Sequence, residues 1–88
     1  MRSENVIVGF QHGLHMRVAA QIAKITQHFN ANVHIGKEGQ PPANAGSILE
    51  LMSLGAESGS SLAVTADGPE KDAALQALTE LFDQGGGI

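Results

Sequence analysis

NVIVGFQHGLHMRVAAQIAKITQHF, residues 5–29, changes its hydrophobic period once, and that change decides the fold. In NVIVGF, residues 5–10, Val6, Val8 and Phe10 alternate with Ile7 and Gly9, the period of two expected of a strand with one buried face. The pattern breaks at the polar, glycine-containing QHG. From Met16 to Phe29 the apolar residues Val18, Ile22, Ile25 and Phe29 recur at helical spacing, with Gln21, Lys24 and Gln27 on the other side. A strand therefore leads into an amphipathic helix of about three to four turns.

Outward from this stretch the same two periods repeat. NVHIGKE, residues 32–38, alternates through Val33 and Ile35, and GQPPANAG, residues 39–46, carries two prolines. Prolines donate no ladder hydrogen bond, so a strand there is short and lies at a sheet edge. SILELMSL, residues 47–54, opens with Ser47 and Glu50 in a capping-box arrangement and stops at Gly55, which predicts a short second helix. SSLAVTAD, residues 60–67, places Leu62, Val64 and Ala66 on one face of a strand. Pro69 suits the first position of a third helix, whose stripe of Leu75, Leu78, Leu81 and Phe82 runs to about Asp83. Asp67 and Glu70, acids in the turn and the first helical turn, fit capping roles. Residues 84–88, QGGGI, are expected to fray. Three single-stripe helices and four single-faced strands predict an α+β domain, one antiparallel sheet covered by helices on one side.

At 88 residues the chain has room for one domain, and with 42% hydrophobic and 16% charged residues it is expected to fold. No cysteine is present, which excludes disulfides, thiolate metal sites and cysteine nucleophiles. The apolar run after MRSEN is too short for a signal peptide or a membrane span, so the expectation is a cytoplasmic protein. Net charge is −4 and the five basic residues, Arg2, Arg17, Lys24, Lys37 and Lys71, are scattered, which argues against a nucleic-acid partner.

The candidate chemistry lies at the start of the first helix. With His15 as its capping residue, the backbone N–H groups of Met16, Arg17 and Val18 have no acceptor inside the helix and sit at the positive end of its dipole. That is a small anion site, and the same potential disfavours imidazolium and favours a neutral, nucleophilic ring. Arg17 adds a guanidinium able to take a phosphate through two hydrogen bonds. Spacing alone is also compatible with an exposed turn histidine. His12 and His15 have no carboxylate or cysteine beside them in the loop, so no metal site is expected. His28, near a helix end, reads as a dipole partner, and His34 as a solvent-facing strand residue.

GLHMRVA, residues 13–19, resembles the GLHARPA signature of the HPr family, the histidine-containing phosphocarriers of the bacterial phosphoenolpyruvate-dependent phosphotransferase system. NAGSILELMSLGA, residues 44–56, resembles the family's N-A-K-S-I-M-x-x-M-S-L-G motif at the expected distance downstream. The ADG turn and an ALxALxxLF-type final helix extend the likeness over nearly the whole chain. The resemblance implies an HPr-like open-faced β-sandwich, four antiparallel strands under three helices. It implies a phosphoryl carrier without cofactor or metal, most economically a monomer: a stoichiometric intermediate rather than a turnover enzyme. His15 would accept a phosphoryl group on Nδ1 from phospho-enzyme I and pass it to an enzyme IIA-type acceptor. Arg17 and the amides of Met16, Arg17 and Val18 would hold the phosphate.

The chain departs from the family pattern at Met16, which replaces alanine, and at Val18, which replaces proline and restores a backbone N–H. Ser47 aligns with the family's regulatory serine, the target of HPr kinase/phosphorylase, though a capping box alone also explains it, and the preceding lysine is Gly46 here. By the same resemblance Ile48 and Leu49, near Leu14 and Met16, form the partner-docking surface, with Leu51 or Met52 largely in the core. The alternative is a regulatory HPr paralogue, of a nitrogen-type or catabolite-control branch, acting mainly by phosphorylation-dependent protein binding. A small ligand-binding α/β module is a third reading, for which so thin a sheet offers little pocket.

Overall fold

In the computed structural model, which describes residues 1–10 and 13–83, the element order is β1 (Arg2–Ile7), α1 (Met16–His28), β2 (Asn32–Gly36), β3 (Ala43–Asn44), α2 (Ile48–Ser53), β4 (Ser61–Asp67) and α3 (Lys71–Asp83). The expectations for His12 and for residues 84–88 lie outside the described residues. The strands form one antiparallel sheet in the order β1-β4-β2-β3. Because β4 pairs antiparallel with both β1 and β2, those two strands run parallel and need a crossover, which α1 supplies. By the same logic α2 carries the chain from β3 to β4, since β3 is antiparallel to β2.

The period-two reading holds along the sheet. Val6, Val33, Ile35, Leu62, Val64 and Ala66 are buried, while Ile7, His34, Ser61 and Asp67 point the other way and are exposed. His34 stands between Thr65 and Asn44 on the open face, as expected of a solvent-facing strand residue. α1 adds Val18, Ala19, Ile22 and Ala23 to the core, and α3 adds Ala74, Leu75, Leu78, Leu81 and Phe82. Apart from Ala23, these side chains join the strands in one hydrophobic cluster.

Several boundaries differ from the sequence reading, each for a long-range reason. β1 begins at Arg2 rather than Asn5, because pairing with β4 runs from Arg2 opposite Ala66 to Ile7 opposite Ser61 and does not require apolar alternation. Val8 and Phe10 stay buried beyond the strand. Val8 is held by its N–H to the Ser60 carbonyl at 2.8 Å, and Phe10 packs its ring 5.2 Å from that of Phe82. α3 begins at Lys71, two residues after Pro69. Glu70 does not cap it with its side chain: its carboxylate accepts from the Asn30 N–H at 2.6 Å, tying the start of α3 to the end of α1. Ile25 in α1 and Phe29 just past its end are only partly buried, and Thr26 takes the inner position with its hydroxyl satisfied by the Ile22 carbonyl at 2.8 Å. β3 is two residues long, at the sheet edge and directly after Pro41 and Pro42, as the prolines require.

Candidate functional site

His15 is the residue before the first turn of α1, with extended backbone at φ −100° and ψ 176°. Its carbonyl accepts the first helical hydrogen bond, from Ala19 N–H at 2.9 Å. Its ring makes no capping bond to the helix, and the residue is half-buried. The N–H groups of Met16, Arg17 and Val18 therefore remain without an acceptor inside α1, next to the imidazole. Arg17 is exposed on the first turn and forms no ion pair among the described residues. Of the two departures from the family signature, Val18 turns its side chain into the core and keeps only its N–H at the helix start. Met16 is exposed.

What fixes this helix start is a contact from the other motif. Leu14 N–H donates to the Ala56 carbonyl at 2.9 Å, and His15 N–H to the Gly13 carbonyl at 3.1 Å. Gly13 has φ +72°, and a Cβ there would collide with the Ala56 carbonyl oxygen. Only glycine lets the chain approach the turn after α2 this closely. At the far end of α1, the Gln27 side chain donates to the Gly46 carbonyl at 3.2 Å, so α1 and α2 lie side by side in opposite directions. The start of α1 thus meets the end of α2, and Ser47, at the start of α2, lies at the opposite end of that pair.

Ser47 does cap α2, its hydroxyl accepting from Glu50 N–H at 3.3 Å. The reciprocal half of the expected capping box is absent. Glu50 reaches back past the cap to accept from Asn44 N–H at 3.0 Å, because Ser47 N–H is already bonded to the Asn44 carbonyl at 3.0 Å. Gly55, with φ +60°, ends the helix as expected.

The residues assigned to a docking surface separate. Ile48, Leu49 and Met16 are exposed, at 37%, 82% and 63%. Leu14 is not: it is 7% exposed and belongs to the core, with its backbone tied to Ala56 beyond the end of α2. Leu51 is fully buried, whereas Met52 is 37% exposed and stands with Ile48 and Leu49. The sequence reading did not assign Met52 to the surface. Its separations of three and four residues from Leu49 and Ile48 were the signal that places it on their face.

Among the described residues, the two groups with displaced pKa values, Arg2 and Asp72, lie away from His15. Asp72, in the first turn of α3, is held below the usual carboxylate range chiefly by the hydrogen bond from the Arg2 guanidinium, at 2.8 Å, with partial desolvation opposing. Arg2 is raised by the same bond and by the Asp72 charge. Among the described residues no three His, Asp or Glu side chains converge on a possible metal position, and no helix is long and apolar enough to cross a membrane.

Comparison with known proteins gives this geometry a context. The family model described as "PTS HPr component phosphorylation site" matches residues 2–84. The phosphocarrier protein HPr of Vibrio cholerae is 33% identical over 84 residues, spanning 96% of this chain and 98% of that protein. The phosphocarrier protein NPr of Escherichia coli K12 is 33% identical over 73 residues, 83% of this chain and 81% of its own length. The crystal structure of HPr-C-His from Thermoanaerobacter tengcongensis superposes with a TM-score of 0.94 at 28% identity, covering 100% of this chain and 98% of that one. Fold and kinship define an open-faced α+β phosphocarrier of the phosphotransferase system. The chain belongs to the HPr family.

Proposed function

We propose that His15 accepts a phosphoryl group on Nδ1 from the phosphohistidine of enzyme I and passes it to a histidine of an enzyme IIA-type acceptor. The observation that carries the proposal is a histidine at the start of α1 whose ring does not cap the helix, beside Arg17 and three amides with no helical acceptor. Nδ1 is the ring nitrogen nearer the residue's own backbone. The donor's P–N bond breaks as the His15 P–N bond forms. The protein's part is to place the ring in line and to neutralise the moving oxygens through Arg17 and the N–H groups of Met16, Arg17 and Val18. The carrier is a stoichiometric intermediate, a monomer working in the cytoplasm, and docks through Met16, Ile48 and Leu49, joined by Met52.

The test is incubation with cognate enzyme I and phosphoenolpyruvate. Acid-labile phosphate is expected on the wild type and absent from His15→Ala; an unlabelled wild type refutes the carrier reading. Likeness to both an HPr and an NPr supports a second reading, a regulatory paralogue sensed by its phosphorylation state. In that reading Ser47 is the target of an HPr kinase/phosphorylase. Acid-stable phosphate on the wild type but not on Ser47→Ala, with cognate kinase and ATP, is its expected signature, and a blank wild type removes it.

A further inference from the structure

The Ala56 carbonyl that holds Leu14, and with it the helix start at His15, lies in the turn after α2, and the two halves of that turn are fixed differently. The far half is tied to the chain just past β1: Gly59 N–H donates to the Val8 carbonyl at 2.7 Å, and Val8 N–H to the Ser60 carbonyl at 2.8 Å. Ser60 also closes on Glu57, its N–H donating to the Glu57 carbonyl at 3.0 Å and its Oγ accepting from Glu57 N–H at 3.1 Å. The near half begins at Gly55, whose N–H returns to the Met52 carbonyl at 3.2 Å and whose φ is +60°. Having no Cβ, glycine leaves the peptide plane between residues 55 and 56 sterically free to turn.

The group that grips this plane comes from the sheet. Lys37, the residue after β2, donates its ammonium to the Gly55 carbonyl at 3.3 Å, across 18 positions of chain. Its own backbone is well anchored: Gly36 pairs with Ala63 of β4, and the Lys37 carbonyl accepts from Gln40 N–H at 3.0 Å. The residue is half-buried, and its ammonium forms no ion pair among the described residues. α2 has no basic residue in its own last turn, so Lys37 brings the cation that the carbonyl end of a helix favours. A charged donor also makes this bond stronger than one between neutral groups.

We infer that Lys37 is a positioning residue for phosphoryl transfer: its ammonium fixes the Gly55–Ala56 peptide, and so the Ala56 carbonyl from which Leu14 and His15 are held. The inference rests on the phosphocarrier reading and adds to it a residue outside both sequence motifs. The path from Lys37 to His15 is short and has little slack. Gly13 lies so close to the turn that a Cβ there would collide with the Ala56 carbonyl oxygen and crowd the Glu57 Cα. A turned Ala56 carbonyl therefore either releases Leu14 N–H or draws Leu14 with it, and His15, whose N–H is bonded to the Gly13 carbonyl at 3.1 Å, follows. Transfer requires the ring in line with the donor, so a small displacement slows the chemical step while leaving the partner contact intact.

The experiment measures transfer from phosphorylated cognate enzyme I to the full chain, as kcat and KM, for wild type, Lys37→Met, Lys37→Arg and Lys71→Gln. The Leu14 amide is followed by NMR in the absence of enzyme I. Lys37→Met keeps the apolar stem and removes the charged donor; it is expected to lower kcat about fivefold to tenfold, with KM within about twofold of wild type. In the same variant the Leu14 amide proton is expected to move upfield and to exchange about tenfold faster. Lys37→Arg restores kcat and the amide toward wild type, and Lys71→Gln, which removes the same charge at the start of α3, changes neither. Lys37 lies outside the hydrophobic cluster, so the fold is expected to stand, and circular dichroism verifies it. A Lys37→Met kcat within about twofold of wild type overturns the inference, as does a rise in KM at unchanged kcat, which would put Lys37 in the partner contact. An unmoved Leu14 amide, or an arginine variant no better than the methionine one, also overturns it. Each of these results leaves His15 labelled and the carrier reading standing, whereas an unlabelled wild type refutes the carrier reading itself.

Discussion

α1 and α2 both begin at a polar residue with extended backbone, φ −100° at His15 and −116° at Ser47, yet the two helix starts are finished differently. At Ser47 the side chain turns inward: the hydroxyl accepts from Glu50 N–H, and the Glu50 carboxylate takes Asn44 N–H. At His15 the ring leaves the helix amides uncapped, and the backbone is held instead from outside, by Ala56. A start closed by its own side chains contributes to stability. A start held by tertiary contact keeps its donors available for an anion, which is what phosphoryl transfer asks of it.

Substitutions that separate the two starts test this contrast, and the largest effect is expected where the outside support is removed. Gly13→Ala puts a Cβ into the Ala56 carbonyl and a side-chain-bearing residue at φ +72°. It is expected to lower stability by roughly 2–4 kcal/mol in chemical denaturation and to impair transfer, because the clash displaces Leu14 and His15. Arg17→Ala is expected to leave the melting temperature in place and slow transfer about 10²-fold in single-turnover assays. If transfer survives unchanged, the phosphate is held without the guanidinium. Ser47→Ala removes the α2 cap and is expected to cost about 1 kcal/mol by denaturant titration.

The smallest effect is expected at the third helix start. Asp72, in the first turn of α3, has its carboxyl held low by Arg2 in the folded chain. Its contribution is therefore fully present above the ordinary carboxylate range and lost as pH falls through the depressed folded value. Both side chains are well exposed, so Arg2→Gln should flatten the acid limb of the melting curve by less than the Ser47→Ala effect. An acid limb in Arg2→Gln as steep as that of the wild type shows the pair to be without weight.

Much of this arrangement was legible in residue order because burial on a one-sided sheet or helix imposes a period. Val6, Val8 and Phe10, and likewise Leu62, Val64 and Ala66, are buried where alternation placed them. The short α2, its Ser47 cap and its Gly55 stop follow from local chemistry. Leu14 was misplaced for the converse reason: it lies in a loop with no period, and its burial depends on a hydrogen bond to Ala56, far along the chain. Leu51 or Met52 was left as the core residue of α2, because apolar residues at four of six helix positions carry too little contrast to define a face unaided, and the structure chooses Leu51. Glu50 and Glu70 were read as local capping groups, and each found a backbone N–H outside its own helix, at Asn44 and Asn30.

By itself the sequence determined the types and order of the elements, the placing of His15 and Arg17 at a helix start, and the HPr kinship carried by two motifs in register. Those properties depend on neighbours within a turn or a strand, where side-chain period and backbone valence are decisive. Only the tertiary structure decided the strand order β1-β4-β2-β3, the meeting of Gly13 and Leu14 with Ala56, and the division of apolar side chains between core and surface. Those depend on which distant groups the chain brings within hydrogen-bonding distance, and no local pattern encodes that choice.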